Sequence, residues 1–196
     1  FDEIQYDYVR FPVGSDADAA DYGVDMEAYP KRQAIQDFLS YAGDRLHEKG
    51  CVVTADVFGT IIGSETDVQT VGQDYTALGQ TVDAISPMVY PSHYANGVLK
   101  VPDAHPYETV SAAMQGSAEE LQEIPEAERA VVRPWLQAFT ATWVPGHISY
   151  NGTQIREQIQ AVYDAGYEEW ILWNATNRYS AEGLLGADEV EDNEDN

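Results

Sequence analysis

Two aspartates stand at the downstream ends of strand-like runs, Asp7 after Ile4-Gln5-Tyr6 and Asp56 after Val52-Val53-Thr54-Ala55. In a parallel β/α barrel every strand delivers its last side chains to one common rim, so acids at strand ends converge although far apart in sequence. Cleavage of a glycosidic bond calls for such a pair. One carboxyl group protonates the leaving oxygen, a second attacks the anomeric carbon or activates water, and their separation decides between retention and inversion. Side chains alternate across a strand. Gln5 and Asp7 share one parity against Ile4, Tyr6 and Tyr8, and Thr54 and Asp56 share one against Val53, Ala55 and Val57. A purely structural reading competes with the chemical one: Asp7 would cap the following loop or pair with Arg10, and Asp56 would hold backbone donors of the turn at Gly59.

Around these acids the sequence offers residues suited to holding a sugar. Arg10, three residues after Asp7, could keep that carboxylate ionised and oriented. Tyr90, His93 and Tyr94 follow a third strand-like run, where ring faces suit stacking and polar tips suit hydroxyl recognition. Trp135 and Gln137 alternate with Leu136 and Ala138 on a fourth run, and Trp173 and Asn174 end a fifth. Ordinary barrel filling is the competing reading for each Trp. His47, His105 and His147 are scattered, with no HxH or HExxH spacing. The expectation is therefore no metal and no cofactor. Asn151-Gly152-Thr153 fits a glycosylation triplet but reads as a helix start.

The elements that must position these residues alternate along the chain, the pattern of a parallel sheet covered by helices. Strands are expected near Glu3 to Val9, Val52 to Phe58, Ala84 to Tyr90, Ala130 to Phe139 and Glu168 to Asn174. A long helix is expected over Met26 to Lys49, where Ile35, Phe38, Leu39, Ala42 and Leu46 recur at three- and four-residue steps. Others are expected near Asp67 to Gln80, Pro106 to Ile124, which Gly116 would interrupt, and Thr153 to Ala165. The loops 11–25 and 96–105 are long enough to overhang the rim. The fold class expected is α/β, a (β/α)8 TIM-barrel-like architecture of which the last five β/α units are present. Residues 1–186 would form this portion as one domain and 187–196 an acidic disordered tail. The alternative is an open doubly wound sheet, for which no Gly-rich phosphate loop follows the first strand.

Composition excludes several function classes. Ten Lys and Arg against 34 Asp and Glu give a net charge of -24, which repels phosphate backbones and anionic membrane surfaces. Nucleic acid is not an expected partner. No apolar run reaches the length of a membrane span, roughly 18 to 20 residues, so no membrane insertion is expected. Cys51 is the only cysteine, which leaves no intrachain disulfide. The chain opens inside a strand pattern at Phe1-Asp2-Glu3-Ile4, and is expected to be a piece of a longer polypeptide. An incomplete sheet would expose edges that invite self-association.

The block from Phe1 to Pro12, FDEIQYDYVRFP, resembles the signature of a bacterial domain family described as a putative glycosyl hydrolase domain, a barrel related to α-amylase-like and other glycosidases. Further resemblance lies in Thr54 to Gly59, Ile85 to Tyr94 and Arg133 to Phe139, in the family's order and spanning nearly the whole chain. The resemblance implies a (β/α)8 barrel acting on an oligo- or polysaccharide. Similarity to amylase-like barrels implies Asp7 on a fourth strand as nucleophile and Asp56 on a fifth as acid/base, where those barrels ordinarily carry Glu. It also implies an extracellular or cell-envelope location. A non-catalytic carbohydrate-binding barrel is the alternative from another class, and a metal-dependent deacetylase-type hydrolase a third.

Overall fold

A computed structural model describes residues 1–184 of the chain; the expected acidic tail, 187–196, lies outside the described residues. Within the described residues six strands and six α-helices follow one another. In order they are β1 (Glu3–Tyr6), α1 (Ser15–Asp18), α2 (Lys31–His47), β2 (Val52–Phe58), α3 (Glu65–Val71), α4 (Tyr75–Leu78), β3 (Ala84–Val89), α5 (Pro106–Leu121), β4 (Val131–Val132), β5 (Trp135–Gln137), α6 (Gly152–Asp164) and β6 (Ile171–Trp173). The chain divides into two compact units, Phe1–Met88 with Gln115–Pro134, and Val89–Met114 with the residues from Trp135 onward.

In the first unit β1, β2 and β3 run side by side and parallel, and β4 pairs parallel with β3. The α/β class and the parallel pairing expected of a partial β/α barrel are both present. β2 is buried on both faces: Val53, Ala55 and Val57 are fully covered, and so is Thr54 on the opposite side. A parallel strand is ordinarily buried on both faces; here one face is apolar and the other carries Thr54 and Asp56. Leu39 of α2, Ile61, Tyr75, Leu78 and Leu121 complete this core. In the second unit β5 and β6 pair parallel, with Trp135 opposite Ile171 and Gln137 opposite Trp173. Its core is built on Leu136 and on Ile155, Ile159 and Val162 of α6.

Local chemistry sets the element ends. Asn151 caps α6 in a reciprocal box with Gln154, which satisfies two of the otherwise orphaned donors of the first turn. The helix expected over Asp67 to Gln80 is instead two, because Gly72 adopts a left-handed conformation with φ 76°. A Cβ there would also lie 2.9 Å from Lys31 Cβ. Gly116 does not interrupt α5. It lets Ile62 approach, since a Cβ would meet Ile62 Cγ2 at 2.9 Å. The strand expected over Ala130 to Phe139 is broken at Arg133-Pro134, where proline supplies no ladder donor. The first strand is shorter than expected because Tyr8 turns to positive φ, 56°.

Candidate active site

β1 and β2 pair in a register that sets Gln5 beside Thr54 and Tyr6 beside Ala55. Asp7 and Asp56 are each the residue that follows this last pair, one just beyond the end of β1 and one still inside β2. Residues of one parity on paired parallel strands share a face, and the hydrogen bonds on that face agree. Glu3 Oε1 accepts from Thr54 Oγ1 at 2.6 Å and from Arg133 Nη1 at 2.9 Å. Two residues further on, Gln5 Nε2 donates to Asp56 Oδ1 at 2.6 Å.

The two aspartates sit in different surroundings. Asp56 is 5% exposed, so protein donors rather than bulk water set its orientation. Asp7 is exposed, and its Oδ1 accepts the Tyr8 N–H at 2.7 Å. Arg10 does not brace it: among the described residues the two form no ion pair. The Arg10 guanidinium lies 4.7 Å from the centroid of Phe58 and 5.4 Å from that of Tyr8, and donates to the Phe11 carbonyl. Arg10 is thus held as a cation on aromatic faces.

Gln73, 1% exposed, clamps the strand ends that carry the acids. Its Oε1 accepts the Phe58 N–H at 3.0 Å, while its Nε2 donates to the carbonyls of Asp56 at 3.0 Å and Val9 at 3.1 Å. Sequence reasoning missed it because the residue falls inside the stretch read as one helix. The signal was Gly72, whose left-handed stop releases Gln73 from the helix and aims it inward.

Ser86 of β3 is opposite Asp56 in the β2–β3 register. It is fully buried, and its Oγ has no hydrogen-bond partner among the described residues. A buried hydroxyl without a partner carries its desolvation cost uncompensated. Ser86→Ala should therefore raise stability by about 1 kcal/mol, read as a higher urea midpoint with an unchanged slope.

The remaining candidates lie in the second unit. Tyr90 meets His93 edge-on with centroids 5.3 Å apart and Phe139 at 5.9 Å, and Phe139 stacks on Trp143. Trp143 is 65% exposed, an aromatic face that sequence reasoning did not single out. The Tyr94 hydroxyl is buried with no hydrogen-bond partner among the described residues, and burial pushes its pKa up. Trp135 and Trp173 contact each other edge to face, with centroids 6.0 Å apart. Asn174 spends its amide on the β6 turn, donating to the Ala138 and Arg178 carbonyls and accepting from Thr176. Gln137 is fully buried and locked: it accepts from Ser92 N–H and donates to Asp103 Oδ1 and to the Phe139 carbonyl. Asp103 is itself fully buried, accepts the Ile148 N–H at 3.3 Å, and receives the Tyr150 hydroxyl on its main-chain oxygen. Nothing in the sequence marked Asp103, which looks like one more acid in a polar loop.

Partial burial lowers the pKa of His93 below its ordinary 6.5. The unfolded chain then binds more protons than the folded one as pH falls below 6.5, so the stabilising contribution is present above that value and lost as pH drops through the folded one. His93→Gln should shrink the fall in melting temperature between about pH 7.5 and about pH 5. Thermal melts at the two pH values measure it.

Among the described residues no three His, Cys, Asp or Glu side chains gather so as to hold a metal ion, and no helix is long and apolar enough to cross a membrane.

Comparison with solved structures shows the fold. The glycoside hydrolase domain of PgaB (BpsB) from Bordetella bronchiseptica superposes with a TM-score of 0.51 at 16% identity, over 74% of this chain and 37% of that one. The spore cortex-lytic enzyme SleL of Bacillus megaterium gives 0.56 at 14% identity, over 79% and 45%. A class V chitinase from Pseudomonas fluorescens gives 0.55 at 14%, over 80% and 60%. The chain thus spans under half the length of the first two. No curated protein matches its sequence. A family model matches residues 1–179, nearly all of the described chain and all of the strands and helices above. The chain belongs to the family described as "putative glycosyl hydrolase domain".

Proposed function

We propose that this domain serves a glycoside hydrolase that cleaves O-glycosidic bonds of a polysaccharide with Asp7 and Asp56 as its two carboxyl groups. What supports the reading is the β1–β2 register, in which Tyr6 pairs with Ala55 and the two aspartates come next on neighbouring strands. Exposed Asp7 is open to substrate and water, as a nucleophile or base must be. Asp56, enclosed and hydrogen-bonded, is shielded from bulk solvent, which suits a group that passes a proton to a leaving oxygen. Exposed His93 and Trp173, which is 43% exposed and packs edge to face with Trp135, offer ring faces for sugars; Gln137 and Asn174 act by holding the strand ends, through Ser92, Asp103 and Ala138. We further propose a location outside the cell or in its envelope, in keeping with a polysaccharide substrate.

A second reading, a carbohydrate-binding domain without turnover, draws on one observation: Arg10 rests on Phe58 and Tyr8 and makes no ion pair with Asp7. Incubation with chitin oligosaccharides and with aryl glycosides, followed by product analysis, separates the two. Turnover by the wild-type chain supports hydrolysis. Saturable binding with no turnover supports the second reading. Activity that survives chelation counts against a metal-dependent hydrolase.

A further inference from the structure

We propose that Gln5 is a positioning residue for Asp56, fixing its carboxyl group through a donor that carries no charge and does not titrate. The proposal rests on the hydrolase reading above and adds a residue to it. Gln5 Nε2 donates to Asp56 Oδ1 at 2.6 Å, a direct hydrogen bond from one strand to its neighbour. The two residues come from different strands, so the bond crosses from β1 to β2 and holds the side chain relative to the strand that leads into Asp7. Gln73 holds the same residue from behind, by its main-chain carbonyl. Gln5 thus holds Asp56 at its side chain and Gln73 at its main chain.

The choice of an amide has chemical content. An acid/base group must be competent in both protonation states over a catalytic cycle. An arginine in place of Gln5 would bind the carboxylate tightly and resist its protonation. A glutamate would compete with it for the proton and repel it once ionised. A glutamine donates to Oδ1 in either state, since that oxygen keeps a lone pair whether or not the proton sits on Oδ2. Gln5 therefore restrains geometry without fixing charge. A displacement of about 1 Å at a reacting group can cost on the order of 10²-fold in rate, which sets the size of the effect.

The test is a double-mutant cycle on chitin-oligosaccharide or aryl-glycoside hydrolysis, joined to a spectroscopic readout that needs no activity. Gln5→Met is expected to lower kcat about 10- to 100-fold with KM within about twofold, and Gln5→Glu, which preserves shape, should lose at least as much. In an Asp56→Ala background Gln5→Met should cost nothing further, because the group it positions is gone. Side-chain amide resonances of Gln5 in the labelled wild-type chain should move toward those of a free glutamine in Asp56→Ala. A wild-type kcat for Gln5→Met, or losses that multiply in the double variant, overturns the proposal. A Gln5 amide signal indifferent to Asp56→Ala overturns it as well. Failure of the wild-type chain to hydrolyse any probe sinks the hydrolase reading alone, and the amide signal then decides whether Gln5 holds Asp56.

Discussion

Asp56→Asn should lower kcat by about 10³-fold, the middle of the range for loss of a general acid/base group, while substrate binding stays within about threefold of wild type. Asparagine keeps the volume of the side chain and retains an oxygen to accept the Gln5 amide, so β2 and its neighbours should hold their places. What it cannot do is carry a proton to a leaving oxygen. The prediction is sharpened by the 5% exposure of Asp56, since little bulk water reaches the position to take over the proton transfer. Asp7→Asn should also abolish most turnover. Its exposure gives it a different signature: a nucleophile or base open to solvent can be replaced in part by a small added anion, and Asp7→Ala is expected to recover some rate with azide or formate where Asp56→Asn does not. Rates measured at saturating and at low substrate, with binding followed by calorimetry, check both statements.

Gln73→Leu should cost about 3 kcal/mol of stability and carry most of the turnover with it. The side chain of Gln73 satisfies the Phe58 N–H and two carbonyls, those of Asp56 and Val9. Leucine fills the volume but leaves those groups to their remaining partners in a nearly waterless place, and each buried group left unsatisfied costs about 1 to 3 kcal/mol. The damage is local to the site, because the clamped positions flank both Asp7 and Asp56. A urea midpoint lowered in proportion, together with a fall in kcat larger than the fraction unfolded can explain, is the expected result. Gln73→Glu is the informative companion: it keeps an acceptor for Phe58 but sets a carboxyl oxygen against the Asp56 and Val9 carbonyls, so its stability should fall at least as far as that of Gln73→Leu at neutral pH.

Much of this could be read from the chain by pattern. The alternation in Ile4-Gln5-Tyr6-Asp7 and Thr54-Ala55-Asp56 assigned faces to residues, and the Gln5–Asp56 and Glu3–Thr54 hydrogen bonds lie on the face so assigned. α6 was legible from its apolar stripe, Ile155, Ile159 and Val162, but its cap stayed open between Asn151 and Thr153, and the box with Gln154 decides it for Asn151. Breaks inside elements were harder. Gly72 looked like a weak point in a helix rather than its left-handed end, and Arg133-Pro134 looked like the middle of a strand, because a proline's missing donor matters only when the neighbouring strand is known. Hardest were the buried polar groups. Gln73 and Asp103 are held by partners 15 to 64 residues away in sequence for the first and 34 to 47 for the second, and no local period encodes that. The same holds for Gln137, whose alternation suggested a side chain aimed at ligand while its amide is taken up by Ser92, Asp103 and Phe139.

Reducing-end release from chitin oligosaccharides and related glycans by the wild-type chain, by Asp7→Asn, by Asp56→Asn and by the double variant, at one pH and matched folded concentration, bears most directly on the two acids acting as one centre. Wild-type release, with each single variant down about 10³-fold and the double variant no more than slightly worse, is the predicted result. Single variants that keep near-wild-type release, or losses that multiply as if the acids worked independently, would contradict it.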